Sequence, residues 1–534
     1  MKLLRPILAA AVSAAWVAGA AAQELKIGLS AEPSAMDPHF HNLVPNNALT
    51  KHVFDRLLDQ DENQRVKPML ATSWRNVDET TWEFKLRPGV KFSNGADFTA
   101  NDVIFSYCRV PRVENSPSSL AINVRAITRM SAPDPLTLVI GTDKPHPLLP
   151  NELSNVAILS AKANGAGQVE FDRQACRNAG SYPKTEAFNA GEAAIGTGPY
   201  RLVRFTKGDR TILERVDGYW GEKPAWARLV LRPITSAGPR VAALLSGDVD
   251  MIENVPIQDI ERIKGNPAYR VVQGLSNRVI YLHFNYQADS PPGVADAGGK
   301  NPFRDKRVRE AIAKAIDRDA IVARIMSGVA VAAGELLPPT MFGANKETTA
   351  AKADPDGAKK LLAEAGYSGG FTLVLATPND RYVNDGQIAQ AVAQMLTRAG
   401  LKVSLEAMTA SQFFAKRNRR EFGFWLAGWG SDTGEMSSPL KSLVATPNRD
   451  KGMGTTNPGG YSNPAMDALL EQALATVDDT RRAALLAEAS RTVMADFGAL
   501  PLHFEMTTWA FRKDLAYTPR ADQYTLGMLV RKAD

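Results

Sequence analysis

From Trp82 the chain alternates apolar and polar positions through Phe84 and Leu86, turns at Arg87-Pro88-Gly89, and resumes the alternation at Val90 and Phe92. That pattern predicts a β-hairpin. Thr99 stands three residues ahead of Asp102, a capping-box spacing that predicts a helix carrying Val103, Ile104, Tyr107 and Cys108. Leu136, Leu138 and Ile140 predict a further strand, and residues 161–190 carry little apolar periodicity and read as loops. The first half is therefore expected to be strand-rich with few long helices.

The second half has helical periodicity with clear punctuation. Asp305 is expected to cap a helix whose buried stripe is Val308, Ala311, Ile312, Ala315 and Ile316, and Asp319 to start another that Gly328 ends. Asp354-Pro355 places proline at a first helical position, with Gly366 as the stop. The clearest unit runs from Phe371 to Glu406: a strand to Ala376, a helix carrying Ile388, Val392, Met395, Leu396 and Ala399, then a strand from Leu401 to Leu405. Strand, helix and strand on short links predict a right-handed parallel crossover. Further helices are expected from Pro464 and Thr480, and a last strand from about Leu500 to Ala510.

A chain of 534 residues exceeds what one core sustains, so several domains are expected. The net charge of +6 comes from 63 basic and 57 acidic residues interspersed along the chain, which gives no nucleic-acid footprint. Lys2 and Arg5 precede an apolar run from Ile7 to Val17, and Ala20 and Ala22 stand where a signal peptidase reads, so residues 1–22 are expected to be a cleaved export signal. No cysteine stands near the cleavage point, so the product should be free in an exported space rather than lipid-anchored. Cys108 and Cys176 are the only two cysteines; in an oxidising compartment they are expected to form one disulfide.

Catalytic machinery is missing from the pattern. There is no phosphate loop ending in Lys-Ser or Lys-Thr, no nucleophile elbow and no paired histidines on a helix. Gly196-Thr197-Gly198-Pro199 reads as a tight turn rather than a phosphate cradle, because Pro199 removes a donor and no helix follows. His39 and His41 have a spacing that could hold a metal, although ordinary hydrogen bonding is the plainer reading. Neither an enzyme nor a cofactor is expected.

Several blocks together resemble a known family. They are Lys67-Pro68 with Ala71 and Trp74, Trp82 to Phe92, Thr99 to Val103, Gly196 to Tyr200, Tyr219-Trp220-Gly221, Asp305 to Ala311, Ala315 to Arg318, and Ala363 to Tyr367. Their order and content resemble the dipeptide, oligopeptide and nickel class of ABC-transporter substrate-binding proteins, solute-binding protein family 5. The resemblance implies an α/β, periplasmic-binding-protein-like fold of two lobes with a hinge. The larger lobe should comprise residues 23–274 and 503–534, with a strand-rich insertion over about 60–190. The smaller α/β lobe should comprise 275–502. A ligand would be captured between the lobes and delivered by a monomer to membrane permease subunits, with no nucleic-acid partner.

Ligands of open α/β sheets bind beyond the carboxyl ends of strands. Arg381 occupies such a loop, Thr377 to Asn384, and can form a two-pronged pair with a carboxylate, unless it merely pairs with Asp380 or Asp385. Tyr382 accompanies it. Asp432 follows the apolar run Phe422 to Ala427, next to Trp429 as a flat wall and Gly430 as a point of close approach. By resemblance, Arg381 would take a peptide's carboxylate and Asp432 its ammonium; a capping or turn role for Asp432 is the alternative. The loop after the first strand, with Ala35 and Met36, is expected to touch the ligand backbone. The ligand expected is a short peptide or peptide-like zwitterion. An opine, a glycoside, chelated nickel, or a sensing role without a permease are the alternatives.

Overall fold

The computed structural model describes residues 23–533. The expected export signal, residues 1–22, lies outside the described residues. The first strand, Glu24–Leu29, is followed in space by parallel partners on both sides, Arg228–Pro233 and Met251–Glu253. Leu25 and Ile27 on it have no exposed surface, which explains why an isolated apolar strand needs neighbours on both edges and both faces.

Two long strands organise everything else. Tyr269–Phe284 and Leu500–Arg512 pair antiparallel in the middle of a 12-stranded sheet, with the first strand's group on one side and the strands Phe424–Gly430 and Thr372–Pro378 on the other. At ~3.3 Å per residue the longer of them extends about 50 Å, enough to run from one lobe into the next. Apolar packing divides along the same strands: one cluster contains Leu25, Leu229, Met251 and Trp509, whereas others contain Leu282, Leu375, Leu426 and Leu502, or Tyr281, Trp425 and Leu470.

The pairing of the two long strands slips between Leu275 and Val279. Leu275 pairs with Met506 and Val279 with Phe504, so Ser276, Asn277 and Arg278 all stand opposite Glu505 alone. A bulge of this kind bends the strand and re-aims its side chains.

The crossover read in the sequence forms as Thr372–Pro378, helix Asp385–Arg398 and Lys402–Met408, with the two strands in parallel register. Leu373, Leu375, Ile388, Val392 and Leu396 are all fully buried, each contributing on the order of 1.5–3 kcal/mol of apolar burial. Asp305 caps Lys306–Ala315 through Arg307 N (2.8 Å), and Asp354 caps Pro355–Glu364 through Gly357 N (2.8 Å). The next turn starts earlier than expected: Asp317, not Asp319, takes the cap, accepting from Ala320 N at 2.9 Å.

The hairpin expected across Arg87-Pro88-Gly89 is different. Thr81–Leu86 pairs with Ala71–Asp78 on one side and Thr137–Thr142 on the other, completing a four-stranded sheet with Ile127–Asp134. Val90 and Phe92 are buried, but in a loop closed by Phe98 N to Val90 O and Phe92 N to Ala96 O. Their alternation recorded burial and not strand pairing. Thr99 N and Oγ1 both donate to Asp102 Oδ2 (2.8 and 3.1 Å) at the start of helix Ala100–Arg109. Cys108 near the end of that helix is joined to Cys176 by a disulfide, Cα to Cα 6.1 Å. It ties the helix to the irregular 169–179 segment.

Candidate functional site

Three carboxyl ends of strands converge on one cavity of about 230 Å³. Leu29, Ser30 and Ala31 end the first strand, Glu253 and Asn254 end the next, and Arg381 comes from the loop after Thr372–Pro378. Leu43, Val44 and Leu49 from the helix Val44–Thr50 and its approach form an apolar wall, while Arg278, Gln523 and Thr525 supply polar groups. The cavity therefore draws on the first strand's group, on the loop after Thr372–Pro378 and on the crossing strand Tyr269–Phe284.

Arg381 is exposed, and among the described residues its guanidinium enters no ion pair. The two acids nearest in sequence are engaged elsewhere: Asp380 Oδ1 accepts from Ala410 N (2.7 Å), and Asp385 Oδ2 accepts from the main-chain N–H groups of Arg381 and Tyr382 (3.0 Å each). The guanidinium lies 5.4 Å from the centre of the Tyr382 ring. That ring is buried and its hydroxyl donates to Gly428 O (3.2 Å), so it serves as a fixed platform.

Arg278 is the residue that sequence reasoning missed. Its Nε lies 3.3 Å from Glu505 Oε2 and its Nη2 donates to Gln523 Oε1 (3.3 Å). Burial pushes the Glu505 carboxyl above its ordinary range, against the opposing pull of the Arg278 and Arg381 charges. The sequence offers one partial signal, that Arg278 and Glu505 each abut an apolar strand run, Val279 to Leu282 and Leu500 to Phe504, where an unpaired charge would be costly, but it does not pair them.

Asp432 stands at the Arg278 end of this group and does not line the cavity that Arg381 lines. Solvent reaches its side chain, yet it lies deep among protein atoms, as a group facing an enclosed recess does. Burial pushes its carboxyl up; the Arg278 charge and a hydrogen bond with Asn42 pull the other way. Its loop is held by the larger lobe: Gln64 Nε2 donates to Ser431 O (3.1 Å), and Asn151 Nδ2 to Thr433 O (2.9 Å).

The remaining expected residues are less directly placed. Gly430 is the register partner of Arg278, and a Cβ there would meet Asn277 Oδ1 at 3.2 Å and Arg278 Nη2 at 3.4 Å. Trp429, half-buried on the same strand, donates from Nε1 to Ser438 Oγ (3.1 Å). Ala35 and Met36 are buried and do not line the cavity; Met36 N donates to Asn189 Oδ1 (2.8 Å). His39 is buried with Nε2 2.8 Å from Ala157 O, and His41 Nδ1 lies 3.0 Å from Ser34 Oγ, the hydrogen bonding that was the plainer reading. Gly196 is required by the fold, since a Cβ there would meet Val53 O at 2.0 Å.

Comparison with known proteins agrees with this architecture. The glutathione-binding protein GsiB of Pectobacterium atrosepticum is 28% identical over 501 residues, 92% of this chain and 91% of that protein. Among solved structures, HbpA2 of Haemophilus parasuis superposes with a TM-score of 0.79 at 22% identity, covering 96% of this chain and 100% of that one. The periplasmic binding protein DppA of Helicobacter pylori, associated with an ABC transporter and solved with the peptide STSA, superposes with a TM-score of 0.72 at 22% identity over 95% and 98% of the two chains. The fold is thus that of two-lobed periplasmic binding proteins. Residues 65–451 match the model of the bacterial extracellular solute-binding proteins, family 5, and the chain belongs to that family.

Proposed function

We propose that the protein is the periplasmic solute-binding component of an ABC importer and that it captures short peptides or peptide-like zwitterions between its lobes. The observation that carries this reading is Arg381: a guanidinium without a carboxylate partner, on an aromatic platform, at a cavity built from the carboxyl ends of strands. Asp432 supplies the opposite charge across Arg278. A ligand carboxylate would pair with Arg381 and a ligand ammonium with Asp432, and only a closed arrangement of the lobes makes both contacts, so ligand shifts the population toward closure. The names of the relatives, which bind glutathione or peptides, support the ligand class. In this reading the protein acts as a monomer, catalyses nothing and hands its ligand to permease subunits.

Native mass spectrometry of the purified protein, followed by calorimetric titration with the released solute and with dipeptides and tripeptides, tests it. Binding that is weakened in Arg381→Ala and Asp432→Ala, and lost when the ligand amine is acetylated, is the expected result. Unchanged affinity in both variants would remove the zwitterion model.

A further inference from the structure

The cavity that Arg381 lines offers an apolar surface beside its charge. Leu43, Val44 and Pro45 form that surface at the entry to helix Val44–Thr50. Leu43 is 41% exposed, and Val44 and Pro45 keep part of their surface, so all three can be reached from the cavity. Apolar surface left open to water becomes favourable only when something apolar covers it. This wall is also preformed: Leu43 N donates to His41 O (2.9 Å), and Leu43 O accepts from Asn47 N (2.9 Å). Covering it therefore orders little that was loose before.

The charged groups on the lining other than Arg381 are committed within the chain. Glu253 Oε1 accepts from Ser30 N (2.8 Å) and Ser30 Oγ (2.9 Å), and Glu253 Oε2 accepts from Thr525 Oγ1. Arg278 is turned to Glu505 (3.3 Å) and Gln523 (3.3 Å). Once Arg381 holds a ligand carboxylate, an acidic side chain beside it would find no free counter-charge, and a basic one would meet two guanidinium groups. Either would be desolvated without a partner, whereas an apolar side chain has no such cost.

Volume sets how much of a ligand enters. About 230 Å³, at a share of ~30 Å³ per water, holds a carboxylate and one side chain, and pockets that take whole drug-sized ligands are ~300–1,000 Å³. The neighbouring residue sets which end of the ligand this is. Asn42, next to Leu43, hydrogen-bonds with Asp432 and accepts from Asn47 Nδ2 (2.8 Å). The ammonium end thus lies on the Asn42 side, and the Leu43 wall faces the residue that bears the carboxylate.

We propose that this cavity selects peptides whose carboxyl-terminal residue is a medium or large apolar one, such as leucine, methionine or phenylalanine; the inference rests on the zwitterion reading of Arg381 and Asp432. The test is calorimetric titration of the full chain with Ala-Leu, Ala-Met, Ala-Phe, Ala-Ala, Ala-Glu and Ala-Lys, with the reversed Leu-Ala and Phe-Ala, and with the same series lengthened by one alanine at the amino end. Peptides ending in leucine, methionine or phenylalanine should bind about tenfold or more tighter than those ending in alanine, glutamate or lysine. Leu43→Ser alters an exposed side chain, and thermal unfolding checks that the fold is kept. It should narrow the ratio of Ala-Leu to Ala-Ala affinity by about threefold or more. Leu43→Lys should raise Ala-Glu relative to Ala-Leu. Peptide binding that is indifferent to the carboxyl-terminal side chain, or that follows the amino-terminal one, would overturn the inference and leave the zwitterion reading standing. A preference unchanged in both Leu43 variants would overturn it as well, since the side chain would then lie against another wall. Binding of no peptide in either series would remove the zwitterion reading and this inference with it.

Discussion

Arg109 and Arg381 carry the same guanidinium, and the fold treats them in opposite ways. Arg109 is 2% exposed and makes a two-pronged pair with Asp37 (2.9 and 2.6 Å), donates to Pro183 O, and lies 4.7 Å from the centre of the Phe188 ring. Asp37 is in turn held by Thr185 Oγ1 and His39 N; burial alone would raise its carboxyl, but the hydrogen bonds and charge of Arg109 bring it below the usual range. Both Asp37 oxygens and all three Arg109 nitrogens are engaged from within the chain. Arg381 has the aromatic platform without the carboxylate. Arg109 is paired within the chain, whereas Arg381 is positioned and, among the described residues, left without an ion-pair partner, as the proposed function requires of a charge that meets a ligand.

Breaking the structural pair should have the largest effect. Arg109→Ala leaves Asp37 buried without its partner, and the expected loss is about 3–5 kcal/mol in urea unfolding. The same truncation at Arg381 should change stability by no more than about 0.5 kcal/mol, because it breaks no ion pair among the described residues and leaves only its longer-range pull on Glu505 and its contact with the Tyr382 ring. Its cost should appear in ligand titration instead, about 2–5 kcal/mol of binding free energy, as for one side of a desolvated charge pair. Comparable unfolding losses in the two variants would mean that Arg381 has a structural partner and that the contrast fails.

Much of this contrast is readable in the amino-acid sequence, and the unreadable part has a physical cause. Helix Asp385–Arg398 and its flanking strands are local objects: period and short links specify them, so Arg381 could be placed at a carboxyl end from the sequence alone. Arg278 could not. Its role depends on a register slip between strands more than two hundred residues apart, opposite Glu505, which periodicity within one segment does not encode. Val90 and Phe92 failed for a related reason, since their alternation reports which side faces the core while pairing is decided by where Ala71–Asp78 lies. Ala35 and Met36 meet the same limit: the loop was placed after the first strand, but its packing depends on Asn189, far along the chain.

The disulfide gives a third comparison, between a covalent tie and the ion pair, both anchored on helix Ala100–Arg109. Replacing both Cys108 and Cys176 by serine should cost ~2–4 kcal/mol in denaturant unfolding, chiefly by freeing the unfolded chain. Ligand affinity should be unchanged, because neither cysteine lines the cavity of Arg381. A variant with native stability would show that the 169–179 segment contributes nothing to the cooperative unit; a variant with native stability and impaired binding would move the functional boundary into the larger lobe's insertion.

The smallest expected effect concerns Asp432, and it sharpens the contrast because this carboxylate is held at a cost. Its folded value is raised above the ordinary 3.8 by burial, with Arg278 and Asn42 opposing. For an acid shifted upward, the contribution to stability is complete below the unfolded value and is lost as pH rises through the folded one, because the native state then has to ionise a desolvated group. Asp432→Asn should therefore match the wild type in thermal stability at low pH and exceed it at neutral pH. Binding should move the other way. A ligand ammonium needs the ionised carboxylate, so wild-type affinity should fall as pH is lowered through the raised value, while Asp432→Asn should bind more weakly and lose that step. Glu505 is also shifted upward and shares Arg278, so Glu505→Gln is measured alongside and should retain the step that belongs to Asp432. If Asp432→Asn retains the wild-type pH profile while Glu505→Gln abolishes it, the ligand's ammonium is read through Glu505 and the crossing strand, and the Asp432 loop is relegated to shaping the recess.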